Sequence, residues 1–173
     1  RHLCFNSVKK WTGQPATGSS AKGRIESLMD GSALNLHIST EMAAIDAAEW
    51  DALAGHANPF ISHAFLQALE KGGAVGGDSG WDPMHLLLRS DDGQLLGAMP
   101  NYLKHHSYGE YIFDHGWANA LERAGGAYYP KLLAAVPFTP ATGPRFLVSD
   151  NRADLKTALA KGMETLMEKY QLS

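Results

Sequence analysis

Two apolar runs, MHLLLR and QLLGAMPNYLK, are separated by Ser90-Asp91-Asp92-Gly93, and this arrangement constrains the fold more than any other stretch. Turn-forming residues between two strand-like runs specify an antiparallel hairpin. Pro100 has no N–H to give to a ladder, so the second run is expected to bulge there or to lie at an edge. The clearest helical period is found from about Arg152 to Tyr170. There Leu155, Leu159, Met163, Leu166 and Tyr170 share one face.

Shorter elements fill the space between. Leu34, Leu36 and Ile38 alternate with Asn35 and His37, the period of a half-buried strand. Asp46 and Glu49 have the spacing of a reciprocal helix cap, Ile45 and Trp50 that of a hydrophobic staple, and Gly55 is a stop. Asn58-Pro59 breaks the chain, because the residue before proline is pushed out of helical geometry. A second helix then restarts at Ser62, with Ile61 placed to reach Leu66, and Phe65, Leu66 and Leu69 share a face before Gly72 and Gly73. GGAVGGDSGWDP reads as a flexible loop; it lacks the order of a phosphate loop. Strands are expected at Tyr111 to Asp114, Leu132 to Val136 and Phe146 to Val148, and a helix from Trp117 to Ala124. This order of elements suits a mixed α/β sheet flanked by helices. Residues 1–33 carry no sustained period and read as a flexible leader, with residues 34–173 as the folded unit.

Composition narrows the function classes. A 45% hydrophobic and 19% charged chain of 173 residues can bury a sizeable core. A net charge of −3 supplies no general field for a polynucleotide, so any RNA or anion contact must come from a local patch. Cys4 is the single cysteine, which rules out an internal disulfide framework. No run approaches the ~18 apolar residues of a spanning helix. The start also lacks the pattern of an export signal. Cytoplasmic placement without membrane insertion is therefore the expectation.

Chemistry concentrates between Tyr108 and Arg145. Asp114-His115 lies at an expected strand end. His115 suits a general base for an amine nucleophile, with Asp114 as its orienting carboxylate. The other reading makes Asp114 the cap of the following helix and ties His115 to a backbone carbonyl. Glu110 is the reserve base. Tyr111, Trp117, Tyr129 and Lys131 bring amphipathic rings and a cation fit to line a sugar or peptide pocket, although some of these rings equally suit a core. Arg145 closes the proline-rich VPFTPATGPR, placed either for bidentate anion binding or for a surface ion pair. His105-His106 cannot both chelate one ion from a strand, and no Cys/His cluster or HExxH is present, so no metal is expected. Neither a nucleophile elbow nor a Cys-His pair occurs, which disfavours covalent catalysis.

The words GEYIFDHGWA, YYPKL and VPFTPATGPR resemble a bacterial family of FemAB-like proteins, distant relatives of the GNAT acyltransferases. The resemblance runs from about Ala33 to Ser173. It implies a largely antiparallel GNAT-like sheet forming the N-terminal half of a two-half protein. It also implies acyl or aminoacyl transfer to an amine of a peptidoglycan precursor, without a covalent enzyme intermediate. The donor would be acyl-CoA or aminoacyl-tRNA, with tRNA a possible partner, bound mainly by a C-terminal half that would also help to cover the helix ending at Tyr170. The pyrophosphate-binding turn of GNAT enzymes is not found; PATGPR comes nearest and departs from it by its prolines. The competing implication is a non-catalytic module that recognises peptidoglycan-like ligands.

Overall fold

The computed structural model describes residues 4–6, 21–26, 33–108, 110 and 113–173. Among these the strands are β1 (Cys4–Asn6), β2 (Ala21–Glu26), β3 (Ala33–Ser39), β4 (Trp81–Pro83), β5 (His85–Arg89), β6 (Leu95–Met99), β7 (Asn101–Lys104), β8 (Lys131–Ala134) and β9 (Leu147–Val148). The helices are α1 (Ala47–Ala54), α2 (His63–Lys71), α3 (His115–Arg123) and α4 (Ala153–Tyr170). Every ladder among the described residues is antiparallel. One sheet runs in the order β1-β2-β3-β5-β6-β9, and a second in the order β4-β7-β8. The fold is thus mixed α/β, with antiparallel sheets flanked by helices.

The expected hairpin is β5 and β6. Its second run does break at Pro100, but the break does more than bulge: β6 stays in the first sheet, while β7 leaves to become the middle of the second. With no N–H at Pro100 the ladder cannot continue, and the chain is free to turn between sheets. Two expectations change. The glycine-rich loop before Pro83 ends in a true strand, β4, because Trp81 is buried and pairs with Lys104. Within the expected leader, Cys4–Asn6 and Ala21–Glu26 are strands that extend the edge of β3. Cys4–Asn6 is too short to show a period, whereas Ala21–Glu26 does alternate Lys22, Arg24 and Glu26 with Ala21, Gly23 and Ile25, a period-two signal confined to six residues.

Period-two alternation gives the first sheet two buried faces. Leu34, Leu36, Ile38, Leu86, Leu88 and Met99 pack with Leu155, Leu159 and Leu166 of α4. Leu87, Leu95, Ala98 and Leu147 turn the other way, onto Ile45, Trp50, Ile61 and Leu66 beside α1 and α2. Each such side chain contributes roughly 1.5–3 kcal/mol when fully buried. Leu155, Leu159 and Leu166 of α4 are thus covered by this chain's own sheet, while Met163, Met167 and Tyr170 on the same helix are only partly buried. Gly162 lets α4 come close: a Cβ there would lie 2.7 Å from Leu36 Cδ2, in a fully buried side chain. Gly162→Val is expected to destabilise by about 1–3 kcal/mol through overpacking, read from the urea midpoint at unchanged slope.

Both helix starts are capped, but the Asp46 cap is not reciprocal, because the Glu49 carboxylate pairs with Arg89 instead of turning back. Asp46 Oδ1 accepts from Glu49 N at 2.9 Å, Ser62 Oγ accepts from Phe65 N at 3.3 Å, and Trp50 Nε1 donates to Ile61 O at 2.9 Å. Glu70 of α2 then ties the helices to the corner between the sheets. Its Oε2 accepts from Met42 N at 2.7 Å and its Oε1 lies 3.1 Å from Nε2 of the buried His85. His85 Nδ1 accepts from Asn101 N at 3.4 Å, which puts the ring proton on Nε2, facing Glu70. The corner is thereby held in one geometry, and the three-stranded sheet projects from it.

Candidate functional site

Register on the three-stranded sheet sets Trp81, Lys104 and Lys131 side by side in one row. Like charges directly opposite each other on neighbouring strands are destabilising, so two lysines in register call for anions. Glu110 and Asp114 provide them. Lys131 Nζ donates to Glu110 Oε2 at 3.0 Å and, in a shorter contact, to Asp114 Oδ2. All three side chains are largely buried.

Asp114 is the hub. Besides Lys131 it accepts from Tyr128 OH at 2.9 Å and from Tyr129 OH at 3.3 Å, and it also accepts from Ser107 Oγ, which in turn contacts Tyr129 OH. Burial alone would raise its pKa, but the hydrogen bonds from Lys131, Ser107 and Tyr128 hold this carboxyl well below the usual range. Burial likewise works against the Lys131 ammonium, and the two carboxylates more than offset it, so its pKa is raised. Tyr128 and Tyr129 are pushed up, chiefly by burial, which keeps both hydroxyls protonated as donors. Their rings meet edge to face at 5.0 Å.

Glu110 differs from Asp114 in one respect. Its Oε2 is held by Lys131, whereas its Oε1 is buried and has no hydrogen-bond partner among the described residues. Leaving a buried carboxylate oxygen bare costs about 1–3 kcal/mol, or more for a charged group. It therefore favours a donor arriving from outside.

The turn after β7 closes over the row. Trp81 Nε1 and Lys104 Nζ both donate to Tyr108 O, at 3.1 and 2.8 Å. His105 Nε2 lies 2.8 Å from Asp82 Oδ2, so the turn is pinned to β4. The His106 ring fills the space above Gly80, where a Cβ would meet Nε2 at 2.1 Å and where φ is +71°. Gly80→Ala is expected to displace His106 and loosen this turn, seen as faster amide exchange at His105 to Tyr108. No change there would mean that the ring does not seat the turn.

The other residues singled out from sequence fall in three places. His115 opens α3 exposed; its ring stacks on Phe113 at 6.0 Å and makes no hydrogen bond among the described residues. Asp114 does not orient it, nor does the Asp114 side chain cap α3, because its carboxylate is turned the other way onto Lys131. Trp117 is 76% exposed and with Phe113 and Leu121 forms a stripe along the outside of α3. Arg145 is turned onto its own loop: the guanidinium donates to the carbonyls of Ala141, Gly143 and Pro144 at 3.2–3.3 Å. Tyr111, and the first half of the strand expected around it, lie outside the described residues, while Phe113 and Asp114 are irregular. Lys104, Ser107 and Trp81 join the cluster without having been singled out from the sequence. The available signal is a lysine that follows Tyr102 and Leu103 in a strand-like run.

No helix among the described residues is long and apolar enough to cross a membrane. No curated protein and no solved structure matches the chain. A family model does: it is the FemAB-like model, described as peptidoglycan biosynthesis/recognition, and it covers residues 41–173. That span contains both packed faces of the first sheet from Met42 onward and the whole of the lysine–carboxylate cluster. The match extends over most of the chain, and the protein accordingly belongs to the FemAB-like family of peptidoglycan biosynthesis and recognition.

Proposed function

We propose that this chain holds the amine acceptor in an acyl or aminoacyl transfer to a cell-wall precursor. The observation that carries this reading is the bare, buried Oε1 of Glu110, whose partner oxygen is locked by Lys131. An incoming ammonium would donate to Oε1, and Glu110 would take up its proton as the amine attacks a thioester or aminoacyl ester directly. Lys131 would fix the carboxylate from behind and is itself held by Asp114, on which Tyr128 and Tyr129 converge; Trp117 and His115 would lie at the rim. On this reading the donor is acyl-CoA or aminoacyl-tRNA, held mainly by a C-terminal half, and the fold is the GNAT-like half that meets the acceptor.

A second reading, a recognition module without catalysis, draws support from the rings of Tyr108, Phe113 and Trp117, all more than three-quarters exposed. Ligand binding to the native state alone raises stability by ~2.7 kcal/mol at a hundredfold excess over Kd, so thermal shift separates the two. A precursor with a free amine is expected to stabilise the protein more than the same precursor with that amine acetylated, and Glu110→Gln should erase the difference. Equal shifts that persist in Glu110→Gln would favour recognition by the rings. Absence of any shift would remove both.

A further inference from the structure

The two lysines of the row are treated unequally. Lys131 takes both carboxylates. Lys104 has neither: Nζ donates to the Tyr108 carbonyl at 2.8 Å and lies 3.8 Å from the centroid of the Trp81 ring, and no carboxylate among the described residues comes within ion-pair distance. The side chain has no exposed surface. This cation is therefore held by a neutral carbonyl and an indole face, directly across from a second ammonium. Desolvation and a neighbouring cation are the two environments that turn a lysine into a nucleophile near neutral pH.

We propose that Lys104 is a reactive amine, a modification site that takes activated acyl groups such as thioesters and aryl esters. In the reaction the Nζ lone pair attacks the acyl carbon, a C–N bond forms and the C–S or C–O bond breaks. The thiolate or phenolate leaves, and the surplus Nζ proton passes to it or to water. The product is an uncharged amide, which removes one of the two cations beside Glu110 and Asp114. Burial pushes the Lys104 ammonium down to about 8, with Lys131 acting in the same direction and Glu110 and Asp114 pulling back. His106 is likewise disfavoured as a cation, first by burial and then by this ammonium. The carbonyl that caps the amine belongs to Tyr108, which lies on the turn after β7 and is itself 77% exposed, so acylation of Nζ requires that turn to open in the folded protein. None of this depends on the acceptor reading of Glu110.

The test is to treat the full chain with p-nitrophenyl acetate at pH 7.5 and to follow each lysine by peptide mass spectrometry. An ordinary lysine is only ~0.1% neutral at that pH, whereas a group near 8 is neutral in about a quarter of molecules. Lys104 is expected to be acetylated at least ~tenfold faster than the exposed Lys161, allowing for the weaker nucleophilicity of a less basic amine. Its rate should level off above about pH 8 while that of Lys161 keeps rising. Lys104→Arg should abolish the fast adduct. Acetylation of Lys104 no faster than of Lys161, or only after unfolding in urea, would overturn the proposal.

Discussion

Replacing Asp114 with Asn is expected to lower the unfolding free energy by about 3 kcal/mol, the low end of what is lost when one member of a buried ion pair is removed. The low end applies because Glu110 remains on Lys131. Ser107 and both tyrosine hydroxyls nevertheless lose a charged acceptor at once. For a chain of this size the melting temperature should fall by roughly 6–12 °C. The pH dependence supplies the sign. Asp114 has a depressed folded-state pKa, so its contribution is complete above the unfolded value of about 3.9 and is lost as pH falls below it, through the folded value. The gap between wild type and Asp114→Asn should thus be constant from neutral pH down to about pH 5 and narrow on further acidification. A gap that keeps its full size well below pH 3, or a variant as stable as wild type at neutral pH, would show that the carboxylate is not the hub of the cluster.

The second large effect concerns turnover. In a transfer assay with a thioester or aminoacyl ester donor and an amine acceptor, Glu110→Gln is expected to lower kcat by ~10²–10⁴, the usual contribution of a positioned base. Gln keeps a carbonyl oxygen for Lys131, so the melting temperature should change far less than in Asp114→Asn. His115→Gln runs beside it as the comparison. An exposed side chain away from buried contacts shifts energies by ~0.5 kcal/mol or less, so its turnover should stay within about a factor of two or three. The reverse pattern, with the loss in His115→Gln and near-normal turnover in Glu110→Gln, would return the base to His115. A loss in both would place the proton path through the outer face of α3 as well.

The hierarchy between these two residues is not legible in the sequence. Asp114 and His115 are adjacent in the chain, and adjacency suggests that the carboxylate serves the imidazole. In the fold, residue 114 is the last before α3 and the helix carries His115 outward, while the carboxylate turns in to the ammonium on β8. A buried cation competes better for a carboxylate than an exposed imidazole does, because the low dielectric strengthens the pairing and penalises leaving it undone. Arg145 departs from expectation for a related reason. A proline-rich loop bends back on itself and exposes carbonyls, and the guanidinium satisfies those before it can meet a ligand.

What the sequence determined by itself is local. Ser90 to Gly93 set the hairpin, Asp46 and Ser62 set two helix starts, and the leucine spacing of residues 155–166 set α4. Each depends on chemistry within a few residues: a turn conformation, an unpaired N–H, or one face of a helix. The words GEYIFDHGWA, YYPKL and VPFTPATGPR were likewise enough to suggest the family. Only tertiary structure decided that Pro100 passes the chain from one sheet to another, and hence that Trp81, Lys104 and Lys131 stand in one row. Register between strands is fixed by which faces are buried across the whole sheet. The two lysines are 27 residues apart in the chain, and nothing local to either one announces the other. Their enforced proximity is what draws in Glu110 and Asp114, leaves one carboxylate oxygen bare, and leaves Lys104 with no carboxylate of its own among the described residues.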